Sequence, residues 1–168
     1  TSPKAYALRP SVWDTGIGEE FMDSAFVDAH RADPDAKLYL NDYGVEMQGS
    51  AKTQAYYNLA RRLQKSGIPI DGVGFQFHFT VGEVDSAKFD NNVKRYASLG
   101  LNCIVTALDM SIPDLGADDA YEKQAADYRT IAEVMIKYDH CPYVVIWGVQ
   151  DDQSWSGGKT RVIHGQPQ

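Results

Sequence analysis

The stretch LGLNCIVTALDM, at residues 99–110, contains the pattern from which the fold is predicted. Leu99-Gly100 has the form of a helix C-terminus, where glycine adopts a left-handed backbone conformation at little cost. Residues 102–110 then form a short, mostly apolar run that includes the carboxylate Asp109 near its end. Such a run is typical of a strand buried on both faces of a parallel sheet. The stretch therefore predicts a helix followed by a buried strand with a polar end.

The same alternation of helix and strand occurs four times along the chain. Further apolar runs lie at residues 36–43, 72–79 and 143–149. A pattern with apolar residues at helical spacing precedes each of the four runs, at residues 21–29, 56–63, 89–97 and 125–135. This alternation predicts a parallel sheet, which is either doubly wound or closed into a barrel.

Polar and aromatic residues at the strand ends favour the barrel. The groups that follow or end the four runs are Asn41-Asp42-Tyr43, Gln76-Phe77-His78, Asp109, and Trp147 with Gln150-Asp151. A (β/α)₈ barrel builds its site from this end of its strands. Four strands are half of such a barrel, since a complete one takes about 250 residues. Because an open half would leave strand edges unpaired, we expect this chain to need a complement.

Composition excludes several classes of partner. The net charge is −7, and the 16 Lys and Arg residues are scattered among 23 Asp and Glu residues, so no basic stripe is available for nucleic acid. No apolar run approaches the ~20 residues that cross a bilayer, and residues 1–9 lack a signal-peptide pattern. Ten Tyr, six Phe and three Trp are more than a core of this size needs, and aromatic faces bind sugar rings well.

Two cysteines, Cys103 and Cys141, are too few for a disulfide scaffold. Neither has a second Cys or a His at a recognised metal-ligand spacing, so no metal site is predicted. We interpret both as small buried apolar residues, and a disulfide between them in an oxidising compartment stays open.

Four motifs follow one another in a recognisable order and spacing: LYLNDYGVE, PIDGVGFQFHF, IVTALDM and VIWGVQDDQSW. In these motifs the chain resembles the family 10 endo-β-1,4-xylanases. The resemblance spans nearly all of residues 1–168 and implies one unit, the C-terminal half of a (β/α)₈ TIM barrel with roughly strands 5–8. It also implies a secreted or periplasmic glycosidase that degrades xylan, cuts it internally with retention of configuration and needs no cofactor.

Retaining hydrolysis requires two carboxyl groups about 5–5.5 Å apart, one acting as acid and base and the other as nucleophile. By the resemblance, the acid/base glutamate belongs to the N-terminal half, which is either a separate chain or a missing segment. The nucleophile belongs to a TELD motif that here is Thr106-Ala107-Leu108-Asp109. Alanine has no lone pair with which to attack the anomeric carbon, so we expect the chain to be inactive. A natural loss and a deliberate replacement are both possible origins, and the otherwise intact motifs favour the second.

The resemblance assigns roles to the residues around position 107. His78 would hydrogen-bond the nucleophile and be held by Asp109, and Gln76 would contact substrate hydroxyl groups. Alternate residues of a strand share a face, so Gln76 and His78 are predicted to point the same way, as are Ala107 and Asp109.

The remaining predicted site residues would bind the sugar chain. Trp147 and Trp155 match tryptophans of the glycone subsites, although core packing is the alternative for each. Asn41 would lie near the reaction centre and Tyr43 along the aglycone side. Gly44 replaces the asparagine of the family's NDYN motif, which leaves contacts from that position in doubt.

Two other functions remain open at this stage. The chain could be a non-catalytic xylan-binding pseudoenzyme that uses the cleft and its tryptophans without hydrolysis. It could also be a half-barrel that dimerises with itself for structural reasons, with an incidental aromatic cleft.

Overall fold

The computed structural model describes residues 10–149 and residue 154. Its elements alternate as the sequence predicts, apart from one short additional helix at the start and a break in the second predicted strand. In chain order they are α1 (Val12–Ile17), α2 (Phe21–Ala32), β1 (Tyr39–Asp42), α3 (Ala51–Lys65), β2 (Gly72–Phe75), β3 (His78–Thr80), α4 (Ser86–Ala97), β4 (Asn102–Ser111), α5 (Ala120–Met135) and β5 (Val144–Ile146). None of the helices in this part of the chain has the length and apolar character needed to cross a bilayer.

Every strand pairing in the described sheet is parallel, and the strands lie side by side in chain order. β1 pairs with β2, β2 with the first half of β4, and β4 with β5. β3 continues the line of β2 and pairs with the second half of β4. A parallel sheet that keeps the order of the chain, without a switch point, is the arrangement found in a barrel wall rather than in a doubly wound sheet.

The core lies between the sheet and helices α3, α4 and α5. Its centre is a set of aromatic rings in edge-to-face contact, in which Phe89 packs against Phe75 at 5.9 Å and against Phe77 at 4.8 Å between ring centroids. Tyr96 closes the set on the side of α3. These rings are at most a few per cent exposed, and burial of each such side chain contributes about 1.5–3 kcal/mol. The core therefore fixes the sheet against one layer of helices.

The predicted strand at residues 72–79 is not continuous, and this part of the prediction was wrong. β2 ends at Phe75 and β3 begins at His78, and Phe77 between them has a positive φ of 60°. A bulky residue seldom adopts this conformation, because its Cβ crowds the backbone. Both Phe75 and Phe77 nevertheless remain fully buried in the core, so the chain keeps its direction across the interruption.

α2 is less tightly packed than the other long helices. None of its residues is fully buried, although it shows the predicted amphipathic pattern. A two-pronged ion pair connects it to α3, in which both terminal nitrogens of Arg62 donate to the Asp23 carboxylate at 2.8 Å. This pair lowers the pKa of Asp23, chiefly through the hydrogen bonds from Arg62.

Candidate active site

The carboxyl ends of the strands meet at one edge of the sheet, because all of the strands run in the same direction. Asn41 lies at the end of β1, His78 begins β3 where β2 has ended, and Asp109 lies near the end of β4. Trp147 directly follows β5. The polar residues predicted from the four separate motifs thus lie along one edge, as the barrel prediction required.

His78 and Asp109 form the best-defined polar contact of this edge. Nδ1 of His78 lies 2.7 Å from Oδ1 of Asp109, and the two residues are paired in the register of β3 with β4. Asp109 is 1% exposed, whereas His78 is partly exposed. Because an ionised carboxylate only accepts hydrogen bonds, the contact assigns a proton to Nδ1 and fixes the plane of the imidazole ring.

Trp147 extends the site toward β5. Its backbone N–H donates to the carbonyl oxygen of Leu108 at 2.9 Å, which attaches it to β4. Its ring meets the ring of His78 edge to face, with centroids 6.4 Å apart and planes at 81°. Trp147 is 53% exposed in this half of the barrel and is not part of the buried core cluster.

One extra residue in β4 shapes the position of Ala107. From Val144 to Ile146 the neighbouring strand β5 advances by two residues, while its partners in β4, Val105 and Leu108, are three apart. The pairing with β2 and β3 shows the same shift of one residue on the other side of β4. β4 therefore contains a β-bulge between Val105 and Leu108, a feature that redirects side chains and is common next to active sites.

The bulge turns two consecutive side chains away from the core. The residues of β4 that belong to the core cluster are Cys103, Val105, Leu108 and Met110. Their spacing changes from two to three at the bulge, so that Thr106 and Ala107 are both left off the core face. Ala107 and Asp109 then lie on the same face, as predicted, and Ala107 is 7% exposed. A longer side chain at position 107 would therefore extend toward the edge that holds His78.

Asn41 is held at the centre of this edge by its neighbour on β4. The hydroxyl of Thr106 donates to Oδ1 of Asn41 at 2.9 Å. Gly74, on the strand between them, makes this contact possible: a Cβ at this position would lie 2.5 Å from the same oxygen of Asn41 and 3.0 Å from the Thr106 methyl group. The absence of a side chain at Gly74 thus leaves room for the Asn41–Thr106 pair.

Tyr43 lies at the outer end of the edge and is 61% exposed. The ammonium group of Lys52 lies 4.0 Å from the centre of its ring and also contacts its backbone carbonyl and the carboxylate of Asp42. The following residue, Gly44, has a φ of 66°. Asparagine is one of the few other residues that tolerate this left-handed conformation, so glycine keeps the backbone path that the resemblance leads one to expect.

Gln76 and Trp155 are the remaining predicted site residues. Gln76 is partly buried, and its backbone N–H donates to the carbonyl oxygen of Asp42 at 3.2 Å. It lies between two core residues, Phe75 and Phe77, at the interruption of the predicted strand. Trp155 lies outside the described residues.

Glu46 is a buried carboxyl group that the sequence analysis missed. It is fully buried, and its Oε1 accepts the backbone N–H of Phe77 at 2.9 Å. The amide of Asn92 in turn donates to the carbonyl oxygens of Val45 and Glu46 at 2.8 and 2.7 Å. Glu46 therefore holds the residue with positive φ that immediately precedes His78.

Two substitutions of Glu46 are expected to distinguish the effect of its charge on stability from the effect of its hydrogen bond to Phe77. Burial raises the pKa of Glu46, so the folded protein holds this proton more tightly than the unfolded chain does. Glu46 therefore makes its full contribution to the free energy of unfolding below pH 4.5, its ordinary pKa. That contribution declines as the pH rises from there toward the raised pKa of the folded protein. Glu46→Gln should remove this decline. Glu46→Ala should cost about 2–4 kcal/mol, because it leaves a cavity and a buried N–H without an acceptor.

Urea unfolding of the intact protein at a series of pH values from about 4 to about 8 measures both effects. Glu46→Gln is the matched control, since its amide oxygen can still accept the N–H of Phe77. Equal losses of stability in the two variants would contradict this role of the carboxyl group.

A cluster of metal-ligand type occurs elsewhere in the described residues. Cys103, His140 and Cys141 come together near the beginning of β4, at the end of that strand opposite to Ala107. The two cysteines are free thiols. The sequence shows no recognised metal-ligand spacing at these cysteines, and parallel pairing brings the segment before β5 beside the start of β4.

Comparisons with known proteins agree on one family. The family model described as "Glycosyl hydrolase family 10" matches residues 1–167. Endo-1,4-beta-xylanase B from Thermotoga neapolitana is 38% identical over 152 residues, which make up 89% of this chain and 43% of that protein. Endo-1,4-beta-xylanase A from Thermoanaerobacterium saccharolyticum is 39% identical over 150 residues, or 88% of this chain and 13% of that protein.

Solved structures show the same likeness. Native xylanase 10B from Thermotoga maritima superimposes with a TM-score of 0.84 at 36% identity, covering 91% of this chain and 48% of that one. An intracellular xylanase from Thermoanaerobacterium saccharolyticum, solved as a glutamate-to-alanine variant in complex with xylotetraose, gives a TM-score of 0.81 at 40% identity, covering 88% of this chain and 45% of that one.

This chain thus spans less than half the length of the relatives and solved structures named above. The described sheet corresponds to part of their barrel, which confirms the predicted (β/α)₈ class. The matching family model, the relatives and the solved structures all lead to one assignment: the chain belongs to glycosyl hydrolase family 10.

Proposed function

We propose that residues 1–168 are the C-terminal half of an endo-β-1,4-xylanase barrel that binds xylan but does not hydrolyse it. The observation that supports this most is the His78–Asp109 pair beside Ala107 on the same strand edge. A retaining site needs a nucleophilic carboxylate beside the anomeric carbon, and here a methyl group occupies that position. The polar neighbours of a nucleophile are thus present without the nucleophile.

In the proposed site, each residue keeps a role that does not depend on the missing carboxylate. The Asp109 carboxylate orients the imidazole of His78, whose other nitrogen would contact a nucleophile at position 107. Asn41 would contact sugar hydroxyl groups near the bond to be cut, and Gln76 would do so beside it. Trp147 would offer its exposed ring to a sugar in the glycone subsites. The resemblance gives Trp155 a role in the same subsites. Tyr43 would line the aglycone side.

Binding without hydrolysis has a parallel among the matched structures. Two glutamate-to-alanine variants of the Thermoanaerobacterium saccharolyticum xylanase were solved with xylotetraose and with xylotriose. In those proteins, the loss of a glutamate is compatible with a bound oligosaccharide. We infer the same for this chain, with xylan or xylo-oligosaccharides as the ligand.

We also propose that the N-terminal half of the barrel, with the acid/base glutamate, completes this site. Within the described sheet, β1 pairs only with β2 and β5 only with β4, so each has an open edge. The β5 segment leaves Tyr143 and Val145 about half exposed. Apolar strand edges of this kind favour pairing with further strands. Self-association through the same edges is the other way to cover them.

Cellular location stays a prediction. The resemblance implies a secreted or periplasmic protein, while one of the matched xylanases is described as intracellular.

A binding experiment tests the proposed cleft. We expect the intact protein, with its N-terminal half, to bind xylo-oligosaccharides in calorimetry without releasing shorter products. Trp147→Ala should weaken binding at least about tenfold, which corresponds to roughly 1.4 kcal/mol. Ile136→Ala is the control, because Ile136 is 81% exposed but lies at the end of α5 that leads into β5, opposite the carboxyl edge of the strands. Equal affinity of the Trp147 variant and the unsubstituted protein would contradict the cleft assignment.

A further inference from the structure

The cluster of Cys103, His140 and Cys141 lies outside the proposed cleft and has no part in its chemistry. One potential ligand atom from each residue lies within 4.8 Å of the other two. The backbone supports this grouping, since the N–H of Cys103 donates to the carbonyl oxygen of His140 at 2.9 Å. The three side chains therefore meet where β4 begins and where the segment that leads into β5 passes beside it.

His140 presents a ring nitrogen that no described group satisfies. Its Nε2 is buried and has no hydrogen-bond partner in the described part of the chain. Burial lowers the pKa of His140, while a hydrogen bond to the backbone of Val93 opposes that effect. The unpartnered Nε2 lies in the group formed with the two cysteine sulfur atoms. A buried nitrogen lone pair without a partner is costly, and it is the atom that a metal ion would use.

The thiols of Cys103 and Cys141 lie in contact with each other, beside His140. Cys103 is fully buried, and it shares a hydrogen bond with the half-buried Cys141. That contact lowers the pKa of Cys141 and, together with burial, raises the pKa of Cys103. The two sulfur atoms thus already lie beside each other, and a divalent cation that binds both would displace their protons.

The kind of ion follows from the donor set. Two sulfur atoms and one imidazole nitrogen suit zinc and chemically similar ions, whereas calcium and magnesium require oxygen ligands. Zn–S distances of about 2.3 Å and Zn–N distances of about 2.0–2.1 Å place tetrahedral donors roughly 3.5–3.8 Å apart. The present separations need only a small contraction to reach this geometry. Because His140 and Cys141 are partly exposed, water can supply the fourth ligand.

We propose that Cys103, His140 and Cys141 bind one Zn²⁺-type ion, which fastens the start of β4 to the segment before β5. The ion replaces the two thiol protons, which pass to solvent, and no redox step is involved. A disulfide between Cys103 and Cys141 is the competing arrangement. It needs an oxidant and would leave Nε2 of His140 without a partner, so the observations favour the metal.

Cobalt substitution provides a direct test in the intact, reduced and metal-free protein. One equivalent of Co²⁺ per chain should produce thiolate-to-cobalt charge-transfer absorption, which Zn²⁺ then removes. Cys103→Ser and Cys141→Ser should each abolish the absorption, and His140→Asn should weaken binding at least tenfold. His30→Asn is the matched control, because His30 is an exposed histidine on α2, and it should bind as the unsubstituted protein does.

A measurement on the unsubstituted protein keeps the test independent of how well the variants fold. Zn²⁺ should protect two thiols per chain from alkylation and release two protons per ion bound. Absence of thiolate-to-cobalt absorption, or unchanged alkylation of both thiols in the presence of Zn²⁺, would overturn the proposal. Isolation of the protein with a Cys103–Cys141 disulfide and no bound metal would overturn it in favour of the competing arrangement.

Discussion

Ala107→Glu is expected to increase the rate of xylan hydrolysis by the intact protein on the order of 10⁴- to 10⁶-fold, the range that loss of a nucleophile costs in other hydrolases. The β-bulge leaves residue 107 off the core face, on the same face as Asp109, whose carboxylate holds His78. A glutamate there would attack the anomeric carbon, while the acid/base glutamate of the N-terminal half protonates the leaving oxygen. Reducing-sugar release from xylan measures the gain.

Ala107→Gln is the matched control, because glutamine has the size of glutamate but cannot form a stable glycosyl ester. It should remain inactive. The experiment also separates the two functional hypotheses. A folded Ala107→Glu protein that binds xylo-oligosaccharides and still fails to hydrolyse them would indicate a pseudoenzyme whose site has changed beyond this single position.

Azide or formate is expected to restore cleavage in the unsubstituted protein by about 10²-fold with an aryl xyloside that has a good leaving group. The methyl group of Ala107 leaves space where a carboxylate would lie, and a small anion can enter it. Azide then forms a C–N bond to the anomeric carbon as the bond to the leaving oxygen breaks, and the leaving group departs as a phenolate. A single displacement gives an inverted glycosyl azide, in contrast to the double displacement of a retaining enzyme.

Two controls limit the interpretation of the anion experiment. Chloride at equal ionic strength should give no rescue, and Ala107→Gln should abolish rescue by filling the space. His78→Ala should reduce rescue about tenfold or more, because the imidazole orients the incoming anion. A product of retained configuration, or no rescue in a protein whose Ala107→Glu variant is active, would contradict the assignment of residue 107.

The sequence was sufficient to predict the alternation of helices and strands, apart from α1 and the break between β2 and β3, because periodicity and strand-end polarity are local signals. The four strand positions, the helices before them and the convergence of Asn41, His78, Asp109 and Trp147 at one edge all follow from those signals. Parallel pairing in chain order then brings distant motifs together without further information.

Three features could not be predicted from local sequence patterns: the β-bulge in β4, the burial of Glu46 and the approach of His140 to Cys103. The β-bulge adds one residue to β4. It is recognised from the register of β4 with β5 and not from the order of apolar residues. Glu46 has the appearance of an ordinary surface charge in the sequence, since its burial depends on Phe77 and Asn92, which lie far along the chain. The approach of His140 to Cys103 likewise depends on strand pairing and has no local spacing signature.

Covalent trapping tests the central claim most directly, namely that residue 107 is the position of the nucleophile. A 2-fluoro xyloside with a good leaving group slows breakdown of a glycosyl-enzyme intermediate, so that the intermediate accumulates. Incubated with the intact Ala107→Glu protein and analysed by peptide mass spectrometry, it should label one peptide, at the carboxylate introduced at position 107, and it should leave the unsubstituted protein unlabelled. A hydrolytically active variant that is labelled at another residue, or is not labelled at all, would contradict the account.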